Sequence, residues 1–268
     1  MFIDTHCHLD DRAFCGRLAG VLDRARSAGV TKYVVPGVNP GQWKDAARLC
    51  RTMSSIYPAF GLHPMHAGEF SDEVGRTLEE LLPEGVATGE IGLDYTLANV
   101  SREVQKAAFR QQLRLSVQLG LPVLLHCRKA FADLLAILKE ERVWQVGGTM
   151  HAFSGSPEVA RQCMQLGLLI SIAGAVTYSN AVKPLEVVRQ VPVTSLLLET
   201  DAPDMAPQAY RGSTNEPAYL VEAAKMVAGL KQLSLEEVAM RTTANAEALF
   251  RFKERNNHHV SIAQIFQE

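Results

Sequence analysis

PVLLHCRKAFADLLAILKEERVWQVGGTMHAFSGSPEVARQCMQLG (122–167) holds two cycles of one alternation. Each cycle opens on a short apolar run, PVLLHCR (122–128) and then GGTMHAFS (147–154), and continues into a longer amphipathic one, 130–141 and 157–166. A short run that is apolar at consecutive positions reads as a strand buried on both faces, the kind found in parallel sheets covered by helices. Pro157 after Ser156 marks a helix start, since the N–H that proline lacks is one a first helical turn leaves unpaired anyway.

The same alternation extends in both directions. FIDTHCH (2–8), TKYVVPGV (31–38), YPAFGLHP (57–64) and GVATGEIGLD (85–94) read as the preceding strands, LLISIAGAV (168–176) and SLLLETDAP (195–203) as the following ones. Helices are expected at 17–29, near 41–54, near 72–82, and at 101–119, 181–190, 216–229 and 234–249. Eight βα units of this kind predict the α/β class and a single-domain (β/α)8 TIM barrel, whose chemistry sits at the C-terminal ends of the strands. The barrel is expected over 1–252. KERNNHHVSIAQIFQE (253–268) reads as a C-terminal extension with a short helix at 260–267.

Composition bounds the function. The chain has 268 residues, 47% of them hydrophobic and 21% charged, which excludes a disordered chain, a collagen and a coiled coil. Lys and Arg number 27 against 29 Asp and Glu, a formal net charge of -2. The whole-chain balance therefore carries no electrostatic argument for nucleic acid or an anionic membrane, and a phosphate polymer would have to be met by local charge or by metal. Five cysteines (7, 15, 50, 127 and 163) form no CxxC pair, and the acidic start MFIDTHCHLD does not resemble a secretory signal. A reduced, cytoplasmic protein is expected. The longest apolar stretch, 166–176, falls short of the ~18–20 residues that span a bilayer, so no membrane association is expected.

Histidines select one end of the strands. Of eight, two lie in the tail; His6, His8, His63, His126 and His151 fall at or near strand C-terminal ends, with His66 just beyond one. His6 and His8 are two apart, so the strand period aims both imidazoles one way and turns Cys7 toward the helix layer as a small buried hydrophobe. Cys127, beside His126, reads the same way. Glu90 in GEIGLD follows a buried apolar run, where a carboxylate is costly unless it is paired or binds metal. Asp201 in LLLETD can orient a water and take its proton. Four histidines, one Glu and one Asp are N and O donors suited to zinc, manganese, magnesium or iron. Six ligands exceed the needs of one tetrahedral zinc, and a carboxylate bridging two ions, the usual clamp for phosphate esters, would use them all.

His6-Cys7-His8, GLHP (61–64), GEIGLD (89–94), HCR (126–128), HAFSG (151–155), ETDAP (199–203) and NEP (215–217) resemble, in order, the signature blocks of the TatD family of metal-dependent deoxyribonucleases, over roughly residues 2–252. The resemblance implies an amidohydrolase-type barrel with one or two divalent ions (Mg or Mn in function, Zn as a further candidate) and 3′→5′ exonuclease action on DNA. It implies a first metal held by His6, His8, Glu90 and Asp201, with Glu90 bridging to a second held by His126 and His151. Asp201 would orient the attacking water, and His63 would sit near the substrate phosphate or that water. The tail after about Phe252 matches no block of the family.

Other residues admit two readings each. Asp94 is a partner for a ligand histidine or a helix N-cap. Arg128, Lys129 and Arg211 bind substrate phosphate or are solvated loop charges. Tyr95 and Tyr178 stack on a base or pack. His66 reads as a loop residue and His258-His259 as solvated. The competing function is the same metal barrel acting on a small ester, amide or lactone; a non-catalytic metal-binding protein is a third reading. DNA is the expected partner, and no protein partner is evident.

Overall fold

The computed structural model describes residues 1–253. The strands are β1 (Phe2–Asp4), β2 (Val30–Gly37), β3 (Ile56–Phe60), β4 (Ala87–Asp94), β5 (Val123–Arg128), β6 (Gly148–Met150), β7 (Leu168–Ile172) and β8 (Leu196–Leu198). Between them run α1 (Leu18–Ser27), α2 (Pro40–Thr52), α3 (Asp72–Leu81), α4 (Arg102–Leu119), α5 (Phe131–Glu140), α6 (Pro157–Gln165) and α7 (Lys183–Gln190), followed after β8 by α8 (Leu220–Lys231) and α9 (Leu235–Phe250). Each strand pairs in parallel with the next in chain order. Single bonds bring β1 and β8 together: Thr5 N–H donates to Leu198 O, His8 N–H to Ala202 O and Asp201 N–H to His6 O. This is the (β/α)8 TIM barrel the alternation predicts. The predicted helix at 260–267 and the pair His258-His259 lie outside the described residues.

Local chemistry explains the helix starts. Ser71, Ser101, Ser156 and Ser234 each accept a backbone N–H of the first turn of their helix, and Pro157 sits inside the start of α6. Such caps satisfy donors that have no partner within the helix. Apolar packing then forms two bodies. One lies between strands and helices and includes Trp43, Phe109 and Leu134; the other fills the barrel with Ile3, Val34, Tyr57, Ala59, Leu124 and Leu197, and Phe250 of α9 packs against it.

Five predicted strands end earlier than expected, β3 at Phe60 and β7 at Ile172 among them. β1 stops at Asp4, β6 at Met150 and β8 at Leu198, so the motif residues lie beyond the ladders. Past those points the N–H groups serve different partners: Cys7 donates to Val34 O, while Thr200 donates to the Asp4 carboxylate. No continuous ladder survives such switching. The alternation at His6 and His8 persists all the same, with Cys7 fully buried. α8 begins at Leu220 rather than at 216, because Pro217–Tyr219 forms a 3-10 turn and Glu216 is drawn to Arg17 and Arg24.

β4 carries the irregularity that matters most. Its register runs Thr88 to Val123 and then Ile91 to Leu125, three steps against two on β5. The extra residue is a bulge at Gly89-Glu90, a device that re-aims a side chain. A Cβ on Gly89 would lie 2.5 Å from Leu124 Cβ, so the close approach of β4 to β5 requires glycine there.

Candidate metal centre

Glu90 emerges from that bulge 3% exposed, with an imidazole on each side. One carboxylate oxygen is 2.7 Å from His126 Nδ1, 3.5 Å from His151 Nε2 and 3.7 Å from His63 Nε2. The other is 3.4 Å from His6 Nε2. Asp201 Oδ1 lies 3.6 Å from His6 Nε2 and 3.7 Å from His8 Nε2. All six predicted ligands and His63 thus converge on one end of the barrel.

The two Nε2 atoms of His6 and His8 face each other at 3.1 Å, and the His6 ring stacks on His151 with centroids 3.8 Å apart. Two imidazole nitrogens at that separation need a proton or a cation between them. Within 4.8 Å of one another lie ligand atoms of His6, His8 and Glu90; of His63, Glu90 and His126; and of His6, His151 and Glu199. The donor set and its spacing fit divalent ions.

Burial alone would raise the Glu90 carboxyl; the imidazoles of His151, His63, His6 and His126 instead hold it well below the usual range. Asp201 behaves alike: burial opposes its charge, and His151, His8 and His6 lower it. Both are anionic at neutral pH. Burial pushes His63 down to about 4, so that ring is neutral. Its Nδ1 accepts the Met65 N–H at 3.2 Å, which leaves the ring proton on Nε2, facing Glu90.

The backbone around Asp201 is held from behind. Asp201 has φ +58°, in the left-handed region that a residue with a side chain rarely adopts. The preceding Thr200 gives its N–H and hydroxyl to the buried Asp4 carboxylate at 3.0 and 2.5 Å. Asn215 Nδ2 donates to Thr200 O and Asp204 O at 2.8 and 2.6 Å. Burial pushes the Asp4 carboxyl up to about 8, against the lowering effect of Thr200.

Two histidines have a carboxylate behind them. Asp94 Oδ2 is 3.4 Å from His126 Nε2, while its Oδ1 accepts from Thr96 N and Oγ1 at 2.8 and 2.6 Å. Asp94 is therefore a histidine partner that also ties a turn; the N-cap of α4 is Ser101. Glu199, fully buried, lies 3.1 Å from His151 Nδ1 and accepts the Ala152 N–H at 2.5 Å. Sequence reasoning missed the roles of Glu199, Asp4 and Asn215. For Glu199 and Asp4 the one signal is a polar side chain beside an apolar strand end, in LLLETD and FID; Asn215 lies in the loop after β8, within the NEP block.

The remaining candidates divide. Arg128 and Lys129 are exposed just past His126, without an ion-pair partner among the described residues, and Lys129 has φ +56°. Arg211 is exposed, with its guanidinium 4.8 Å above the Tyr178 ring. Tyr95 packs: its hydroxyl donates to the Asp133 carboxylate and Arg102 covers its ring at 4.4 Å. His66 pairs with Glu69 at 2.7 Å, away from Glu90. Cys127 is half-buried against the apolar core.

Residues 3–251 match the family model described as TatD related DNase. The chain is 41% identical to an uncharacterized metal-dependent hydrolase, YabD, of Bacillus subtilis, over 94% of this chain and 99% of that one. It is 36% identical to a protein of Pantoea vagans named 3'-5' ssDNA/RNA exonuclease TatD, over 92% of this chain and 98% of that one. The crystal structure of YjjV, a TatD homologue from Escherichia coli, superposes with a TM-score of 0.89 at 35% identity, covering 93% and 98% of the two chains. Family, fold and converging donors agree: the chain belongs to the TatD-related DNase family and is a metal-dependent hydrolase.

Proposed function

We propose that this hydrolase is a deoxyribonuclease that shortens DNA from its 3′ end, with His6, His8, Glu90, His126, His151 and Asp201 holding one or two divalent ions. The observation that carries the reading is the shared Glu90 carboxylate, with one oxygen toward His6 and the other toward His126, His151 and His63. The relative named as a 3′-5′ exonuclease on single-stranded DNA and RNA supports the polarity and the polymer. Mg or Mn is the proposed ion, with Zn as the alternative that imidazole-rich sites accommodate.

Bound divalent ions would offset phosphate charge and lower the pKa of a water toward neutrality. The chain's own groups do the rest. Asp201, anionic and fixed in its left-handed turn, orients that water and accepts its proton. His63 keeps a neutral ring whose Nε2–H faces the site. Arg128, Lys129 and Arg211 supply, at the mouth, the cationic contacts that the net charge of -2 does not. The five cysteines are unpaired, which suits a reducing compartment such as the cytoplasm.

The test is digestion of end-labelled single-stranded DNA with added Mg or Mn, beside Asp201→Asn. A ladder shortening from the 3′ end, absent in the variant and on chelation, is the expected result. Intact DNA in the presence of folded, metal-loaded protein, together with turnover of a small ester or lactone, would replace this reading with hydrolysis of small substrates.

A further inference from the structure

The loop between Asp201 and Asn215 carries a pair of side chains that the proposed chemistry leaves half used. The guanidinium carbon of Arg211 lies 4.8 Å above the centre of the Tyr178 ring. Arg211 is exposed and Tyr178 is half-buried. Among the described residues no carboxylate pairs with Arg211, so its charge is not neutralised by the chain.

Tyr178 follows β7 and Arg211 follows β8, and the two segments are laced together. Gln208 N–H donates to Thr177 Oγ1 at 2.8 Å, and Ser179 N–H donates to Gln208 Oε1 at 3.3 Å. Met205 O occupies the space that a Cβ on Gly174 would take. On the other flank Tyr210 stacks on Tyr219, with centroids 3.7 Å apart and planes within 3°. Both roots of the loop stand at Asp201. Asp204 N–H donates to Asp201 O at 2.9 Å, and Asn215 N–H to Pro203 O at 2.9 Å. The chain itself therefore fixes the pair, on the same end of the barrel as the proposed metal ligands.

A guanidinium over a tyrosine ring has two uses at once. Its rim carries N–H donors that suit a phosphate, and its planar face stacks on flat π-systems. Tyr178 lies on one side of the group, and the exposure of Arg211 leaves the other side open. Arg128 and Lys129 are exposed cations of the same barrel end, but among the described residues no ring backs either. Arg102 also covers a tyrosine, Tyr95, but there the Asp133 carboxylate holds the Tyr95 hydroxyl and lies 3.0 Å from Lys106 Nζ, a negative charge that disfavours a phosphate. An unpaired nucleotide offers both complements, a bare base face and an adjoining phosphate, and arginine planes are among the groups on which such bases stack.

We propose that Arg211, backed by Tyr178, is a base-stacking platform: a nucleobase of the DNA strand lies on the open side of the guanidinium, while the rim donates to a neighbouring phosphate. The assignment rests on the reading of this chain as a deoxyribonuclease. It turns one cationic contact at the mouth into a subsite that recognises a nucleotide by the flat face of its base, whichever base that is, and that requires the nucleotide to be unpaired.

The test uses the full chain with added Mn and single-stranded oligonucleotides in which each of the last few nucleotides at the 3′ end is replaced, one at a time, by an abasic residue. KM and kcat are measured for wild type, Arg211→Lys, Arg211→Ala and Tyr178→Leu. In wild type one abasic position is expected to raise KM by about 5–100-fold, the range for one base on a stacking side chain. Arg211→Lys keeps the charge and lacks the planar face, so its penalty at that position is expected to vanish. Arg211→Ala is expected to behave alike from a higher starting KM, and Tyr178→Leu, which keeps the bulk behind the guanidinium, to show a reduced penalty. A role in charge or in loop structure alone would leave the penalty intact in Arg211→Lys. If Tyr178→Leu does not fold, the two Arg211 variants carry the comparison. DNA cleaved with no abasic position penalised, or with a penalty as large in Arg211→Lys as in wild type, overturns the proposal and leaves the deoxyribonuclease reading standing. Folded wild-type protein that binds Mn and cleaves no DNA overturns that reading, and this assignment with it.

Discussion

Glu90 concentrates the chemistry in one side chain. It is buried, anionic, and faced by histidines from four other strand ends. Glu90→Gln keeps the volume and removes the charge that a pair of ions would share, so metal content by elemental analysis is expected to fall with at least ~100-fold loss of hydrolysis. Glu199→Gln acts one step further out. It keeps an acceptor for Ala152 N–H and weakens the hold on His151, and a metal affinity lowered by about 10–100-fold is expected. The two residues differ in how visible they are in sequence. Glu90 stands alone after an apolar run, where nothing but pairing explains a carboxylate. Glu199 is masked by Asp201 two positions later, and only the fold shows that the two carboxylates serve different partners.

Elements carry the site through their irregularities. The bulge in β4 brings Glu90 to the centre, and the space beside Gly89 is taken by Leu124. Gly89→Ala is expected to destabilise the protein by about 3 kcal/mol, the upper end for overpacking, read as a lower urea midpoint at unchanged slope. On the outer layer, Glu141 after α5 accepts from Arg110 and Arg114 of α4 at 2.8–3.0 Å. The Arg114 bond holds its carboxyl below the usual 4.5, and burial opposes this only in part. A depressed carboxyl contributes stability that is present above its unfolded pKa and lost as pH falls through the folded one. Glu141→Gln is therefore expected to cost about 1 kcal/mol near neutral pH, a gap that closes in acid unfolding titrations as that range is crossed. Most helix boundaries were legible from serine caps and glycine stops, the start of α8 excepted. The ends of β1, β3, β6, β7 and β8 were not, because an apolar run does not show where ladder bonding gives way to single bonds with other strands.

At the scale of the molecule, the proposed ligands come from strands far apart in sequence and share one mouth, so an ion bound there would tie the barrel across its circumference. An ion present at 100 times its Kd adds about 2.7 kcal/mol. Chelation is expected to lower the Tm by roughly 5–10 °C, and to do so less in Glu90→Gln. Phe250 of α9, 3% exposed, packs against the apolar filling of the barrel. Phe250→Ala is expected to cost about 3–5 kcal/mol, with metal affinity unchanged because the cavity opens away from the cluster.

The sequence by itself determined the barrel and the ligand types. Hydrophobic period, capping residues and the placement of histidines at strand ends are local properties, written in consecutive residues. Tertiary structure alone decided which oxygen of Glu90 faces which imidazole, that Asp4 and Asn215 brace Asp201 from behind, and that Glu199 stands behind His151. Those outcomes depend on close approaches between β1, β4, β5 and β8, and a distance between residues far apart in the chain is set by packing.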